Sequence, residues 1–161
     1  MFTLTKKTDY GIIALSHMAL QPSGNVSTSR EIAERYHVPG ALLVNVLKAL
    51  CQNELVRSTR GVKGGYALAV PAADITLADI IQAVEGPVRF VQCSTAAAEG
   101  ETPCDLLNTC PVTRPVRKVH DRLVDFLRHV TLAQIAFDGE FGKPGVAVSR
   151  EGVALKTELM T

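Results

Sequence analysis

Cys93, Cys104 and Cys110 stand within one stretch of 18 residues, spaced C-x10-C-x5-C. Thiolates are soft metal donors suited to iron–sulfur clusters and zinc. A zinc finger would show two close C-x2–4-C pairs, and this spacing does not. Three thiolates without an evident fourth leave a site one ligand short, which suits an iron–sulfur cluster with one labile corner. The fourth cysteine, Cys51, lies beside Leu47 and Leu50 in a helical pattern and reads as a core residue.

The elements around these cysteines follow from periodicity. Ile12, Leu15, Met18 and Ala19 have helical spacing, so residues 8–20 are predicted to form a first helix, ended by Pro22 and Gly24. Ser27 or Thr28 caps a short helix over 30–36, with Glu31 three residues after Thr28 as a capping-box partner. A turn at Val38-Pro39-Gly40 leads to a third helix over 41–52, with Leu43, Val46, Leu47 and Leu50 facing inward. Two short helices across a tight turn make a helix-turn-helix, whose second helix enters the major groove of DNA. Residues 55–60 and 65–70 alternate weakly about a glycine-rich basic tip and predict a β-hairpin. A hairpin directly after a helix-turn-helix is a wing. Thr76 and Asp79 cap another helix, which Gly86-Pro87 stops.

From Pro111 onward, Val112, Val116, Val119, Leu123, Phe126 and Val130 recur at steps of four and three, the a/d seam of a helix lying along a partner. The fold expected is mainly α: a winged helix-turn-helix with a two-stranded wing and a long C-terminal dimerisation helix. Its parts are a DNA-binding domain over 1–86, a cysteine-bearing loop over 87–111, the dimerisation helix over 112–137, with a final helical turn near 131–136, and a flexible tail over 138–161. His120 and His129 on the long helix are expected to be interfacial or exposed, and His37 in the turn to lie at the surface.

The 161 residues suffice for one domain with an appendage, and with no tryptophan and 5% aromatics the core must be aliphatic. The net charge of +1 hides an asymmetry: residues 1–70 carry eight Lys/Arg against four Asp/Glu, and the remainder nine against twelve. The basic half is the one fitted to a polyanion. No apolar run is long enough to span a membrane. Lys6-Lys7 before an apolar stretch only faintly resembles an export signal, since Asp9 and His17 interrupt it and no small-residue cleavage site follows. A cytoplasmic location is expected, where cysteines serve metal or redox chemistry rather than disulfides. No nucleophile–base pair or phosphate loop points to an enzyme.

For the polyanion, the wing tip is the sharpest feature. Arg60 and Lys63 bring charge, and Gly61 and its fellow glycines allow close approach to a narrow minor groove. On the outer face of the third helix, Asn45 suits an adenine edge, Leu42 or Val44 a thymine methyl, and Lys48 and Gln52 complete the polar stripe. Ser29 and Arg30 open the second helix, where phosphate is favoured.

The stretch Thr5-Lys6-Lys7-Thr8-Asp9-Tyr10, the block 55–61 with Gly64-Gly65-Tyr66, the segment Ala83-Val84-Glu85-Gly86-Pro87 and the trailing cysteine loop together resemble the IscR/NsrR family of iron–sulfur winged-helix regulators. The resemblance covers residues 1 to about 137. It implies a homodimer held by the long helix, a cluster held by the three loop cysteines, and control of genes for cluster assembly, nitric-oxide response or redox balance through an operator in double-stranded DNA. IscR-like members place a histidine three residues past the last cysteine, where this chain has Thr113. NsrR-like members use an acidic residue of the first helix of the other subunit, and Asp9 holds that place, with no basic residue at i+3 or i+4. Three cysteines and a carboxylate favour a four-iron over a two-iron cluster. The first cysteine gap is longer than in the best-known members, and some relatives bind through two cysteines only. The alternative is a cluster-free winged-helix regulator working as a thiol switch or through a partner protein.

Overall fold

The computed structural model describes residues 4–22, 25–61, 63–89, 104–106 and 109–137. Cys93, Val62 and the tail over 138–161 lie outside them. Six helices and one hairpin are described: α1 (Lys6–Ala19), α2 (Ser29–Tyr36), α3 (Gly40–Gln52), β1 (Val56–Thr59), β2 (Gly65–Leu68), α4 (Leu77–Glu85), α5 (Thr113–His129) and α6 (Leu132–Ala136). The architecture is the mainly helical winged helix expected from the sequence. No described helix is long and apolar enough to cross a membrane.

Local signals account for the helix starts. Thr28 accepts from the Glu31 amide while Glu31 reaches back to the Thr28 amide, and Thr76 and Asp79 repeat this at α4. Each box satisfies two otherwise orphaned donors. α1 begins two residues earlier than its apolar periodicity suggests, because the Thr5 hydroxyl accepts from the Lys7 amide and caps it there. α2 ends at His37 in the left-handed region, φ 53°, which redirects the chain into Val38 and α3.

The core is aliphatic. Leu15 of α1, Ile32 of α2, Leu43, Leu47 and Leu50 of α3, Ile75, Ile80 of α4 and Leu132 of α6 are all fully buried. Each such side chain contributes on the order of 2 kcal/mol by leaving water. α1 is central, packed on α3, α4 and α6. A Cβ at its residue Gly11 would stand 3.4 to 3.7 Å from Val84, Val46 and Ile80, ordinary packing contact, so α1 meets these side chains closely without requiring a glycine.

The chain leaves helical geometry at Val130, which is extended, and re-enters it through a third capping box, Thr131 with Gln134. Leu77 donates to the Val130 carbonyl at 2.8 Å, and Leu132 donates to the Ile75 carbonyl at 2.8 Å. These bonds return α6 to the winged-helix core. α5 itself lies against α4 along one stripe, with His120, Leu127 and Val130 buried. His120 is therefore neither exposed nor free for an interface, contrary to the expectation from sequence, and its Nδ1 finds no hydrogen-bond partner among the described residues. Of the seam predicted for a partner, Val130 is buried in that stripe rather than left for a partner. Val112 and Val119 are 53% and 52% exposed, and Val116, Leu123 and Phe126 are half-buried.

The wing is more than a hairpin. β1 and β2 pair antiparallel with Val56 opposite Leu68 and Thr59 opposite Gly65. Ser27, just before α2, then exchanges two backbone hydrogen bonds of 2.8 Å with Tyr66. The close approach needs Gly65: a Cβ there would stand 2.8 Å from the Ser27 carbonyl oxygen, and one at Gly64 would stand 2.3 Å from that of Thr59. These two glycines thus serve the protein's own backbone rather than a DNA groove. Gly65→Ala is expected to cost about 1–3 kcal/mol, the range for forced overpacking. Thermal unfolding followed by circular dichroism checks it, and an unchanged Tm would mean that the Ser27–Tyr66 pair yields without cost.

Candidate DNA-reading surface and cysteine site

α3 presents opposite faces to core and solvent. Leu43, Val46, Leu47 and Leu50 are buried, whereas Leu42, Val44, Asn45, Lys48 and Gln52 are all exposed. Leu42 and Val44 are 42% and 45% exposed, large apolar side chains left open beside an amide and an ammonium. That combination matches the methyl groups and hydrogen-bonding edges displayed in a major groove.

Ser29 and Arg30 stand in the first turn of α2, as the sequence placed them. Ser29 is half-buried, and the Arg30 guanidinium donates to Glu34 one turn along at 2.8 Å. The hydrogen bond and charge of Glu34 raise the already high pKa of Arg30. A phosphate contact from Arg30 would have to compete with that pair. At the wing tip Arg60, Gly61 and Lys63 are exposed, and Gly61 sits at φ 113° with open space about it, a conformation that disfavours any side chain.

Of the three loop cysteines, Cys104 and Cys110 are described, both half-buried free thiols. A turn closed by the Cys110 amide on the Leu106 carbonyl at 2.7 Å delivers Cys110 to the start of α5. There a hydrogen bond from the Thr113 side chain, then one from the Val112 backbone, hold the Cys110 thiol below its ordinary pKa. The single Thr113 hydroxyl proton is directed at the Cys110 carbonyl at 3.2 Å as well, so it is shared between that oxygen and the sulfur. Cys51 behaves oppositely: it packs against the core, and burial pushes its thiol up. Among the described residues no three His, Cys, Asp or Glu side chains form a metal site, and Cys93, the third loop thiol, lies outside them. Thiolate is the nucleophilic form, so Cys110 is expected to alkylate several-fold faster than Cys51 with iodoacetamide at pH 7. Peptide mass mapping over time checks this, and equal rates would contradict the thiolate bias.

Asp9 is exposed on the first turns of α1, with no side-chain partner among the described residues. The same end of α1 is fastened to α4. Thr5 and Thr8 both donate hydroxyl hydrogens to Glu85 Oε1, the Thr8 bond at 2.7 Å. Burial works against ionisation of Glu85, but these bonds and the charge of Lys7 outweigh it and hold the carboxyl below its usual range. Glu85 is the last residue of α4, immediately before the cysteine loop. The sequence reading missed this tie, and its only local signal was Thr5 as a helix cap.

The family described as "Rrf2: Iron-dependent Transcriptional regulator" matches residues 4–138. The chain belongs to the Rrf2 family. As an Rrf2 protein it is a DNA-binding transcriptional regulator. It is 32% identical over 129 residues to the protein aau3 of Rhizobium meliloti, covering 80% of this chain and 81% of that one. A Mycobacterium tuberculosis protein named as an HTH-type transcriptional regulator is 31% identical over 133 residues, covering 83% of this chain and 80% of its own. Among solved structures, T. potens IscR superposes with a TM-score of 0.64 at 28% identity, covering 86% of this chain and 89% of that one. Staphylococcus aureus CymR does so with a TM-score of 0.61 at 28% identity, covering 82% and 96%. Both Rrf2 neighbours share the winged-helix fold described above.

Proposed function

We propose that this Rrf2 regulator is a homodimeric, sequence-specific repressor whose affinity for its operator is set by an iron–sulfur cluster held on Cys93, Cys104 and Cys110. The observation that carries the reading is the pair of anchors at the ends of the cysteine loop. One end begins after Glu85, which is bonded to Thr5 and Thr8 of α1, and the other ends at Cys110, a thiol biased toward thiolate at the start of α5. The donor set fits the group, since thiolates are the usual holders of iron–sulfur clusters. The likeness to T. potens IscR supports the same reading. When bound, such a cluster supplies an oxidisable iron centre open to oxygen or nitric oxide. The chain's own residues hold it and transmit its presence: the loop positions α1 through Glu85, and α1 packs on the recognition helix α3. Leu42, Val44, Asn45 and Lys48 of α3 read bases, Arg60, Gly61 and Lys63 enter the minor groove, and Ser29 and Arg30 meet phosphate.

Asp9 is proposed as the fourth ligand, supplied across the dimer. A carboxylate is a harder donor than thiolate and holds iron less firmly. Three thiolates and one carboxylate favour a four-iron cluster. Asp9→Ala is expected to speed cluster loss in air and alter the visible spectrum while leaving the iron-free fold intact. An identical spectrum with the same oxygen sensitivity would remove Asp9 from the ligand set.

The whole reading is tested by anaerobic purification with iron and sulfide analysis, followed by DNA binding of cluster-loaded and iron-free protein. Stoichiometric iron and sulfide, with a difference in affinity between the two forms, is the expected result. A second reading, a cluster-free thiol switch, draws on the lowered pKa of Cys110. The likeness to S. aureus CymR, whose oxidised form is also a solved neighbour at 27% identity, supports it too. Iron-free protein whose DNA affinity responds reversibly to oxidation of Cys104 or Cys110 would establish that reading and displace the first.

A further inference from the structure

A cleft of about 300 Å³ opens at the opposite end of α1 from the Glu85 tie, between the end of that helix and the wing. Its volume lies at the lower bound of small-molecule sites. Met18, Ala67, Leu68, Pro71, Ala72 and Phe137 give it apolar walls. Its polar lining comes from Arg57 of β1, Gln21 and Asn25, and no carboxylate lines it among the described residues. Arg57 has no ion-pair partner among the described residues, whereas Arg30 is already paired with Glu34. A lone guanidinium at the edge of an apolar cleft is a fork for a carboxylate that carries a hydrocarbon body.

The wall of the cleft is wired to the helix-turn-helix. The Gln21 side-chain amide lies within hydrogen-bond distance of His17 Nε2, at 3.3 Å, and His17 Nδ1 lies 3.2 Å from the Tyr36 hydroxyl of α2. His17 is 2% exposed, so these bonds have no ready substitute in water. Glu31 Oε1 stands 3.5 Å from the same His17 Nε2, and Glu31 Oε2 completes the capping box of α2. The cleft therefore touches the wing through Arg57 and the first helix of the helix-turn-helix through Gln21 and His17. We propose that it is an effector site for small organic carboxylates, in which Arg57 pairs with the carboxylate and Gln21 relays occupancy through His17 to α2.

The test uses the full-length, iron-free chain labelled at its methionine methyl groups, so the binding arm needs neither DNA nor cluster. Of the three methionines, Met18 lines the cleft, and Met1 and Met160 lie outside the described residues. Hexanoate is expected to shift the Met18 signal saturably, with a Kd of about a millimolar or tighter. Hexanamide and inorganic phosphate are expected not to saturate it. Arg57→Gln is expected to weaken hexanoate at least about tenfold, the loss of one charge-assisted pair. In a second arm, saturating hexanoate is expected to change affinity for a DNA fragment selected by the protein in vitro. Gln21→Leu should keep the Met18 shift and lose that change. The carboxylate site is overturned by no saturable shift, by equal saturation with hexanamide or phosphate, or by full affinity in Arg57→Gln. The effector role is overturned if saturation leaves DNA affinity untouched.

Discussion

Val119→Asp is expected to convert a dimer at micromolar concentration into a folded monomer. α5 carries apolar residues beyond those that its own domain buries. His120, Leu127 and Val130 are buried against the chain's own α4, which takes up one side of the helix. Val112 and Val119 remain more than half exposed beside them, and Val116, Leu123 and Phe126 are half-buried. Large apolar side chains in a row on a helix flank mark a contact surface. In a two-fold dimer each substitution enters the interface twice. An unpaired buried charge costs several kcal/mol, so two would outweigh most dimer affinities. Val119 is the clean site because an aspartate there is solvated in the separate chain. Replacing Leu123 and Phe126 together by aspartate breaks the same seam, but both are already half-buried in the single chain, so loss of the fold is expected with loss of the dimer. Light scattering with circular dichroism separates the two outcomes. A wild-type protein that runs as a monomer at micromolar concentration would end the idea.

Arg60→Ala is expected to weaken operator binding by about 1–3 kcal/mol and to relax preference at AT-rich minor-groove positions. The expectation rests on the placement of the tip. Arg60, Gly61 and Lys63 are exposed on a hairpin whose base is pinned by the Ser27–Tyr66 pair immediately before α2. That pin holds the wing in register with the helix-turn-helix, so the arginine is aimed rather than loosely tethered. Lys63→Ala should instead weaken all sequences alike and lower the salt dependence, as loss of a phosphate contact does. Binding at fixed ionic strength to the selected site and to scrambled DNA makes the comparison. Unchanged affinity and preference in Arg60→Ala would reject the wing as a reader.

Most of the fold was legible because its signals are local. The capping boxes Thr28–Glu31 and Thr76–Asp79 join residues three apart, and the inner face of α3 is a run of apolar steps of three and four. Such patterns are resolved within one or two helical turns. The outer face of α3 and the wing tip were legible for the same reason, as the complement of a buried stripe and as a glycine-rich turn. Gly64 and Gly65 were visible as glycines, yet their reason was not, since it lies in carbonyls of Thr59 and of Ser27.

By itself, the sequence determined the helix-turn-helix, the wing, the thiol set and the apolar seam on α5, because each depends on residue type and short spacing. Tertiary structure alone decided which flank of α5 is taken by α4, that α6 returns to the core through Leu77 and Leu132, and that His17 and His120 are buried. It also decided that Glu85 fastens the start of α1, through partners 80 and 77 residues away. These are contacts between distant segments. Their existence depends on how helices pack, and packing is settled by burying the largest apolar area without orphaning backbone groups. No window of a few residues holds that information.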